Sequence, residues 1–453
     1  MILLTILIVG LLLFFPIKQA IWKVKQEGFT PGVVFFAILL LFYIFIPIIY
    51  VLMPEYRDDS TLFNILLGRN SDSSIVMAVL MMSLLILLYY ISYLKGKSSH
   101  RSALSVDWDC ANVACSRKIE RIADVCFVLG AISVGVCMQA VGGFMSYLAF
   151  GVNMRGIDKD MTMTIDSALL PLITLSTVVL VSPYLYYMLM HKDSKVGTKH
   201  KLKFWASSFL ATIYLLYNQG RLPLLLFFVP FLLDLKVFKR MSLWGLLLIS
   251  IGSVFLLSIL DSLFIYLSFG YWDSGSDSSF LNTLLLEFTY PFSNFINRDT
   301  LVEKIGFRYG YDYIVWILLL IPASLLSPIG IVKKNITTMG LLNTEAYSSV
   351  LNQIAGGGIP TDFFTFNYYQ FGYFSLIVAT IIVGKLLCKL DGIVSQLRNN
   401  PITGIIILRI SFLLISLVNN FDFSVIFRMR FDLLIHIYVL YYINKTGKNY
   451  HTI

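Results

Sequence analysis

The chain has 453 residues, of which 57% are hydrophobic and only 13% charged. A soluble domain carries about a quarter of its residues as charges, so a surface this poor in charge is built for lipid. The net charge of +9 sits in short connections between apolar runs, the positive-inside pattern of a membrane protein, and excludes nucleic acid as a partner.

A membrane-crossing helix needs about 20 apolar residues. In chain order the candidate runs are 2–17, 33–53, 75–94, 122–141, 168–190, 204–218, 222–235, 242–261, 368–387, 402–419 and 431–444. Only helices or closed barrels satisfy the backbone in lipid, and runs of this length are not barrel strands. The sequence therefore predicts an all-α polytopic membrane protein with about 11 spans, in a range of about 10–13. Residues 1–453 are read as a single membrane domain.

Lysine and arginine follow every second run: Lys18, Lys23 and Lys25; Lys95 to Arg121; Lys192 to Lys203; Lys236 to Arg240; Lys385 to Arg398; and Lys445 with Lys448. These connections are predicted to be cytoplasmic, which puts the N-terminus outside and the C-terminus inside. The first apolar run lacks a basic leader, so no cleavable signal is expected. Cys110, Cys115, Cys126, Cys137 and Cys388 all fall in predicted cytoplasmic loops or spans, where disulfides are not expected.

Residues 262–367 break the alternation. They form a predicted large extracytoplasmic loop, and insertions of that length are usually functional. Its apolar stretch Tyr313 to Ile331 is expected to lie on the membrane or re-enter it. The loop is rich in aromatic rings, among them Tyr266, Tyr271, Trp272, Tyr290, Tyr309, Tyr311 and Trp316. Such rings stack on sugars, but they also form interfacial belts.

No phosphate-cradling Gly-rich loop, dinucleotide fingerprint, HExxH or Gly-x-Ser-x-Gly elbow occurs, so soluble nucleotides are not expected to drive the chemistry. Asp107-Trp108-Asp109 and Asp158-Lys159-Asp160 match a metal-binding Asp-x-Asp, a pattern too short to assign, and no metal or cofactor is predicted. The cations expected on the outer face are Arg155, Arg221, Arg298, Lys304, Arg308, Lys333, Lys334, Arg428 and Arg430. Arginine at membrane depth costs about 2.5–3.5 kcal/mol on insertion scales and marks functional positions, and its fork grips phosphate oxygens bidentately. Arg221 sits in the tight turn Asn218-Gln219-Gly220-Arg221-Leu222-Pro223. Arg428, Asp432 and His436 are spaced four apart on one helix face, which reads either as an internal salt bridge or as a wet, functional stripe. Glu287, Asp299, Glu303, Glu345 and Asp362 are among the loop carboxylates, and any of them could serve as a general base.

Three stretches carry a family resemblance. They are the Gly220-Arg221 turn, Leu320-Ile321-Pro322 before Lys333-Lys334, and Gly356-Gly357-Gly358-Ile359-Pro360 followed by Asn367-Tyr368-Tyr369-Gln370-Phe371-Gly372. With the long outer loop, they make the chain resemble the bacterial O-antigen polymerases (Wzy). Ala323 departs from the family, which often has arginine after the Ile-Pro.

The resemblance implies an inner-membrane glycosyltransferase of lipopolysaccharide and surface-polysaccharide biosynthesis. It would transfer a growing glycan from undecaprenyl diphosphate onto a new lipid-linked repeat unit at the periplasmic face. Its partners would be the undecaprenyl-diphosphate-linked oligosaccharide and membrane lipids, with room for a chain-length regulator. Arg155, Arg221, Arg308 and Arg428 are expected to bind the diphosphate, and Glu287 or Glu345 to serve as base. The rival readings are an O-antigen ligase, expected to use an outer-loop histidine absent here; a lipid-linked oligosaccharide flippase or transporter; and a membrane acetyltransferase, for which His100-Arg101 is a faint match.

Overall fold

The structure is a computed structural model. It describes residues 2–27, 30–56, 61–96, 112–148, 175–192, 198–217, 221–232, 288–321, 323–330, 336–354, 358–397, 404–423 and 431–449, with the single positions 252, 266, 285 and 332. Every regular element among them is helical.

α1 spans Ile2–Glu27. After Pro31 at a helical N1 position come α2, Pro31–Leu40, and α3, Ile46–Leu52, joined by a π-helical turn over Leu41–Phe45. Pro47 has no N–H to give the carbonyl four residues back, and the wider turn absorbs that defect. α4 covers Leu62–Gly68, α5 Asp72–Gly96 and α6 Asn112–Ala140. A 3₁₀ stretch at Ser176–Leu180 leads to α7, Ser182–Lys192, then α8, Thr198–Tyr217, and α9, Arg221–Leu232. α10 is Tyr290–Ile296, α11 Arg298–Ile305, α12 Val315–Leu320 and α13 Ala323–Leu326. α14 is Met339–Leu351, α15 Phe363–Phe371, α16 Tyr373–Leu397, α17 Gly404–Asn419 and α18 Phe431–Asn449.

Five segments among the described residues are long and apolar enough to cross a membrane: Leu3–Gln26, Pro31–Leu52, Asp72–Gly96, Ser116–Ala140 and Tyr373–Gly392. Ser176–Met190 and Phe431–Ile443 are shorter apolar helices. The predicted run 242–261 lies outside the described residues apart from Gly252. Two expectations change in detail. The run predicted at 368–387 is interrupted at Gly372, whose φ of +65° ends α15 and starts α16. The stretch 313–331 is no continuous helix; α12 and α13 have six and four residues, too few to cross a bilayer.

The described residues cluster in two compact units, each made of separate stretches of chain. Unit 1 comprises Met1–His100, Asp277–Asp391 and Leu414–Arg428. Its core joins Val34, Phe42, Tyr43 and Ile46 to Met82, Ile86, Phe295, Phe364 and Leu376. α16 crosses α5 closely at Gly384, where a Cβ would stand 2.8 Å from the Tyr89 carbonyl oxygen. Small residues at such crossings let backbones approach in membranes. One end of this unit is tied by Asp391, which accepts from Lys23 Nζ at 2.7 Å, Thr30 Oγ1 at 2.7 Å and Gly32 N at 2.9 Å, and from the Tyr93 hydroxyl. The ends carrying Lys23, Lys95 and Lys389 therefore share one side of unit 1.

Unit 2 comprises Arg101–Ser276, Gly392–Leu413 and Met429–Ile453. α6 packs on α7 and on the Ser176–Leu180 stretch, and α18 on both α6 and that stretch. Gly130 permits the approach: a Cβ there would lie 2.8 Å from Cα of Val179. Cys126 and Cys137 are free and buried.

Candidate functional site

The described part of 262–367 is not a loose loop. α10 packs on α4, α5 and α15, and α11 packs on α14 and α15. This builds a surface at the opposite end of α5 and α16 from Asp391. The packing is held by polar contacts that an apolar pattern cannot show. Ser293 Oγ donates to Phe63 O at 2.6 Å, Asn70 Nδ2 to Asn297 Oδ1 at 2.9 Å, and Asn294 Nδ2 to Pro360 O at 2.9 Å. Asn343 bridges the Asn294 amide and Ile359 O, and accepts from the Tyr369 hydroxyl at 2.8 Å.

Asp362 anchors this layer. It caps α15, accepting from the backbone N–H of Phe364 at 3.1 Å and Thr365 at 3.2 Å, an arrangement that satisfies two orphan donors of the helix N-terminus. The same carboxylate accepts from the Tyr43 hydroxyl, which the π-turn directs inward. Burial pushes the Asp362 carboxyl above the ordinary carboxylate range, against the lowering effect of those hydrogen bonds.

At the other end of α15 two arginines converge. The N–H of Arg308 donates to Tyr369 O and that of Tyr309 to Gln370 O, both at 2.9 Å, satisfying carbonyls of the last turn. This pins the turn Arg308-Tyr309-Gly310, whose last two residues have φ of +50° and +83°. Left-handed geometry is ordinary for Gly310 and strained for Tyr309. Such strain concentrates at functional sites. Tyr309 is also 73% exposed, so its own packing does not explain the cost.

The Arg308 guanidinium forks onto buried Asp312, Nε to Oδ2 at 3.0 Å and Nη2 to Oδ1 at 3.2 Å. It lies over the Tyr311 ring, 4.7 Å from the centroid, and Gln370 Nε2 donates to the same Asp312 at 3.1 Å. Arg298 is more deeply set. Its Nη1 donates to Phe295 O at 2.8 Å and its Nη2 to the Tyr373 hydroxyl at 2.5 Å. The rings of Phe295, Tyr368 and Tyr373 surround it at 4.6–5.3 Å. Among the described residues its buried Nε has no partner. Asp299 Oδ2 lies 3.5 Å away, on a side chain 61% exposed, and Asp299 accepts from the Tyr368 hydroxyl.

Around these charges stands a shelf of exposed rings: Phe307, Tyr309, Tyr311, Phe371 and Tyr373. Phe307 and Phe371 each lie about one ring's width from Tyr309, at 6.3 and 6.0 Å between centroids. The combination is one buried and one partly exposed cation, one accessible carboxylate and aromatic faces at the first residue of a membrane-length helix. That set can stack a ring-shaped polar ligand while guanidinium groups hold a nearby anion.

Of the residues predicted to act, Arg308 belongs to this surface, committed to Asp312. Glu345 lies on the exposed face of α14, and no contact among the described residues joins it to either arginine. Arg155, Glu287 and Arg428 lie outside the described residues, as do both Asp-x-Asp triplets. Arg221 opens α9; its side chain lies outside the description. Arg298 and Asp299 stand in the sequence only as two charges among several in a long loop. Their signal, an Asn-Arg-Asp run between two short helices, does not separate them from Lys304 or Glu303.

Unit 2 holds a second buried polar group. Asp432 is paired with Arg409 of α17, Nη2 to Oδ2 at 3.0 Å, and Arg409 Nη1 donates to Leu226 O at 2.8 Å. His436 Nδ1 lies 2.5 Å from Asp432 O, and Tyr184 stacks edge-on against His436 and faces the guanidinium. The predicted face of Asp432 and His436 is thus turned to a partner on another helix. Arg409 was hidden inside an apolar run.

No family model, curated protein or solved structure matches the chain.

Proposed function

We propose that the chain is a multi-pass enzyme of a bacterial inner membrane, with about 11 spans, that polymerises lipid-diphosphate-linked oligosaccharide repeat units at the periplasmic face. The observation that supports this reading best is the cation-lined aromatic shelf at the start of α16. The donor is a glycan on undecaprenyl diphosphate and the acceptor a new lipid-linked unit. An acceptor hydroxyl oxygen attacks the donor's anomeric carbon. The bond from that carbon to the diphosphate oxygen breaks, and the lipid diphosphate leaves with the electron pair. The hydroxyl proton passes to a carboxylate.

Such a leaving group is already good, so the main demand is stabilising its growing charge in a water-poor site, which preorganised cations meet. Arg298 and Arg308, fixed by their protein partners beside the shelf, are candidates for that task together with Arg155, Arg221 and Arg428. Asp299 is the accessible carboxylate beside a guanidinium and joins Glu287 and Glu345 as a candidate base. Exposed Tyr309, Tyr311 and Phe371 offer faces to sugar rings.

The test is the lipopolysaccharide gel profile of a strain deleted for this chain and complemented with wild type, Asp299→Asn or Arg221→Ala. Single-repeat lipopolysaccharide on deletion, with the ladder restored by wild type, supports polymerisation. Loss of the ladder in either variant at normal abundance assigns that residue. Loss of even the single repeat on deletion overturns the reading in favour of a ligase or flippase.

A further inference from the structure

A groove in unit 2 has no role in the polymerisation reading. It has a volume of about 720 Å³ and is lined by Arg117, Lys118, Arg121, Ile122, Val125 and Cys126 of α6 and by Ile435, Tyr438 and Tyr442 of α18. We propose that it binds an anionic phospholipid of the surrounding bilayer, headgroup phosphate on the three cations and one acyl chain along the apolar wall.

The two faces of α6 differ in charge. Glu120 and Asp124, one turn apart, are engaged elsewhere. Glu120 faces Lys203 at 3.3 Å, His200 at 3.5 Å and Lys199 at 3.7 Å. Asp124 accepts from Lys203 at 2.6 Å and from the Tyr186 hydroxyl at 2.5 Å. These contacts leave the groove face cationic. Among the described residues that line it there is no carboxylate, so three positive charges stand together on that wall.

Position identifies the ligand class. Ser116–Ala140 is long and apolar enough to cross a membrane, so Arg117, Lys118 and Arg121 occupy its first turns, at headgroup depth. The next residues on this face, Ile122 and Val125, are apolar, and Val125 lies about 10 Å deeper than Lys118 at 1.5 Å per residue. α18 matches this gradient, with Tyr442 beside the cations and Ile435 further along. Lys118 is held over the Tyr442 ring, 4.0 Å from its centroid, which fixes its ammonium at the groove mouth. Val125 and Tyr438 are 55% and 51% exposed. A soluble anion would leave these apolar residues uncovered, whereas a phospholipid supplies both a phosphate and a chain. Basic pockets between membrane helices bind anionic headgroups by this same division of labour.

The experiment is native mass spectrometry of the full-length protein, delipidated in neutral detergent and titrated with dioleoyl phosphatidylglycerol, dioleoyl phosphatidylcholine or undecaprenyl phosphate. The variants are the triple Arg117→Gln, Lys118→Gln, Arg121→Gln and, separately, Val125→Trp, which fills the apolar wall and leaves every charge in place. Wild type is expected to prefer phosphatidylglycerol over phosphatidylcholine by about tenfold, and both variants to lose that preference. If the triple variant fails to fold by circular dichroism, Val125→Trp decides. Retained preference in a folded variant overturns the proposal. So does stronger binding of undecaprenyl phosphate than of phosphatidylglycerol to wild type, lost in the variants, which would assign the groove to a polyprenyl carrier.

Discussion

Arg298 donates from Nη2 to the hydroxyl of Tyr373 at 2.5 Å, joining a short helix of the predicted outer loop to the first residue of a membrane-length helix. The guanidinium ties two parts of unit 1 together and is also a candidate anion ligand. The two roles are separable by substitution. Tyr373→Phe removes one hydrogen bond to a charged group, which should cost about 1.5–3 kcal/mol of stability and leave the cation in place. Arg298→Gln should cost at least as much and also abolish the polymer ladder. Thermal unfolding in detergent, run beside gel profiles, checks both. A ladder intact in a folded Arg298→Gln protein would remove Arg298 from the site.

Tyr309 holds a left-handed backbone with φ of +50°. Replacing a strained non-glycine residue by glycine relieves about 1–2 kcal/mol, against which the ring contacts with Phe307 and Phe371 are lost. Tyr309→Gly should therefore unfold at an unchanged or higher temperature. If the ring stacks on a sugar, the same variant should shorten the polymer. Reduced stability with normal chain length would mean that the ring serves packing alone.

Asp362 sets a pH dependence. Its folded pKa is raised by burial, so the folded state holds the proton more tightly than the unfolded chain does. The stability this contributes is complete below the unfolded carboxylate value of about 3.9 and is lost as pH rises through the folded value. Asp362→Asn keeps an acceptor for the helix cap and Tyr43 and cannot ionise. It should flatten the fall of melting temperature with rising pH across that window. Asp362→Ala should cost about 1–2 kcal/mol through the lost cap alone. Melting curves from pH 4 to 8 decide; identical slopes for wild type and Asp362→Asn would refute the assignment.

The Arg409–Asp432 pair is fully buried, with side chains 1% and 0% exposed. Removing one partner strands a charge and should cost about 3–5 kcal/mol, whereas replacing both by apolar residues of similar volume should be near neutral. Arg409→Met and Asp432→Leu singly should thus lower abundance and melting temperature, and the double variant should recover most of the loss. If the double variant is stable but inactive, the group has a functional task beyond packing.

The helical class and several membrane-length segments were legible because hydropathy and length are local properties. The predicted runs 33–53, 75–94 and 122–141 each fall within or close to a described helix. The break at Gly372 was not legible, because apolar residues flank it on both sides and a hydropathy window averages over it. The outer segment was recognisable as a long aromatic, charged insertion, but its order was not. That order rests on Asn294, Asn343, Ser293 and Asp362, whose partners are distant in sequence.

What the sequence alone determined is the solvent of this protein and the rough placement of its helices, because burial in lipid demands apolar runs of a fixed length. Which charges are paired within the structure and which stay accessible was decided by tertiary contacts. Arg409 reads as an isolated cost within an apolar run until Asp432, 23 residues later, is packed against it. Arg298 and Asp299 read as two candidates among many loop charges until α15 and α16 bring Tyr368 and Tyr373 to them. A charge's role depends on its nearest neighbours in space, and those neighbours come from segments whose separation along the chain carries no sign of their meeting.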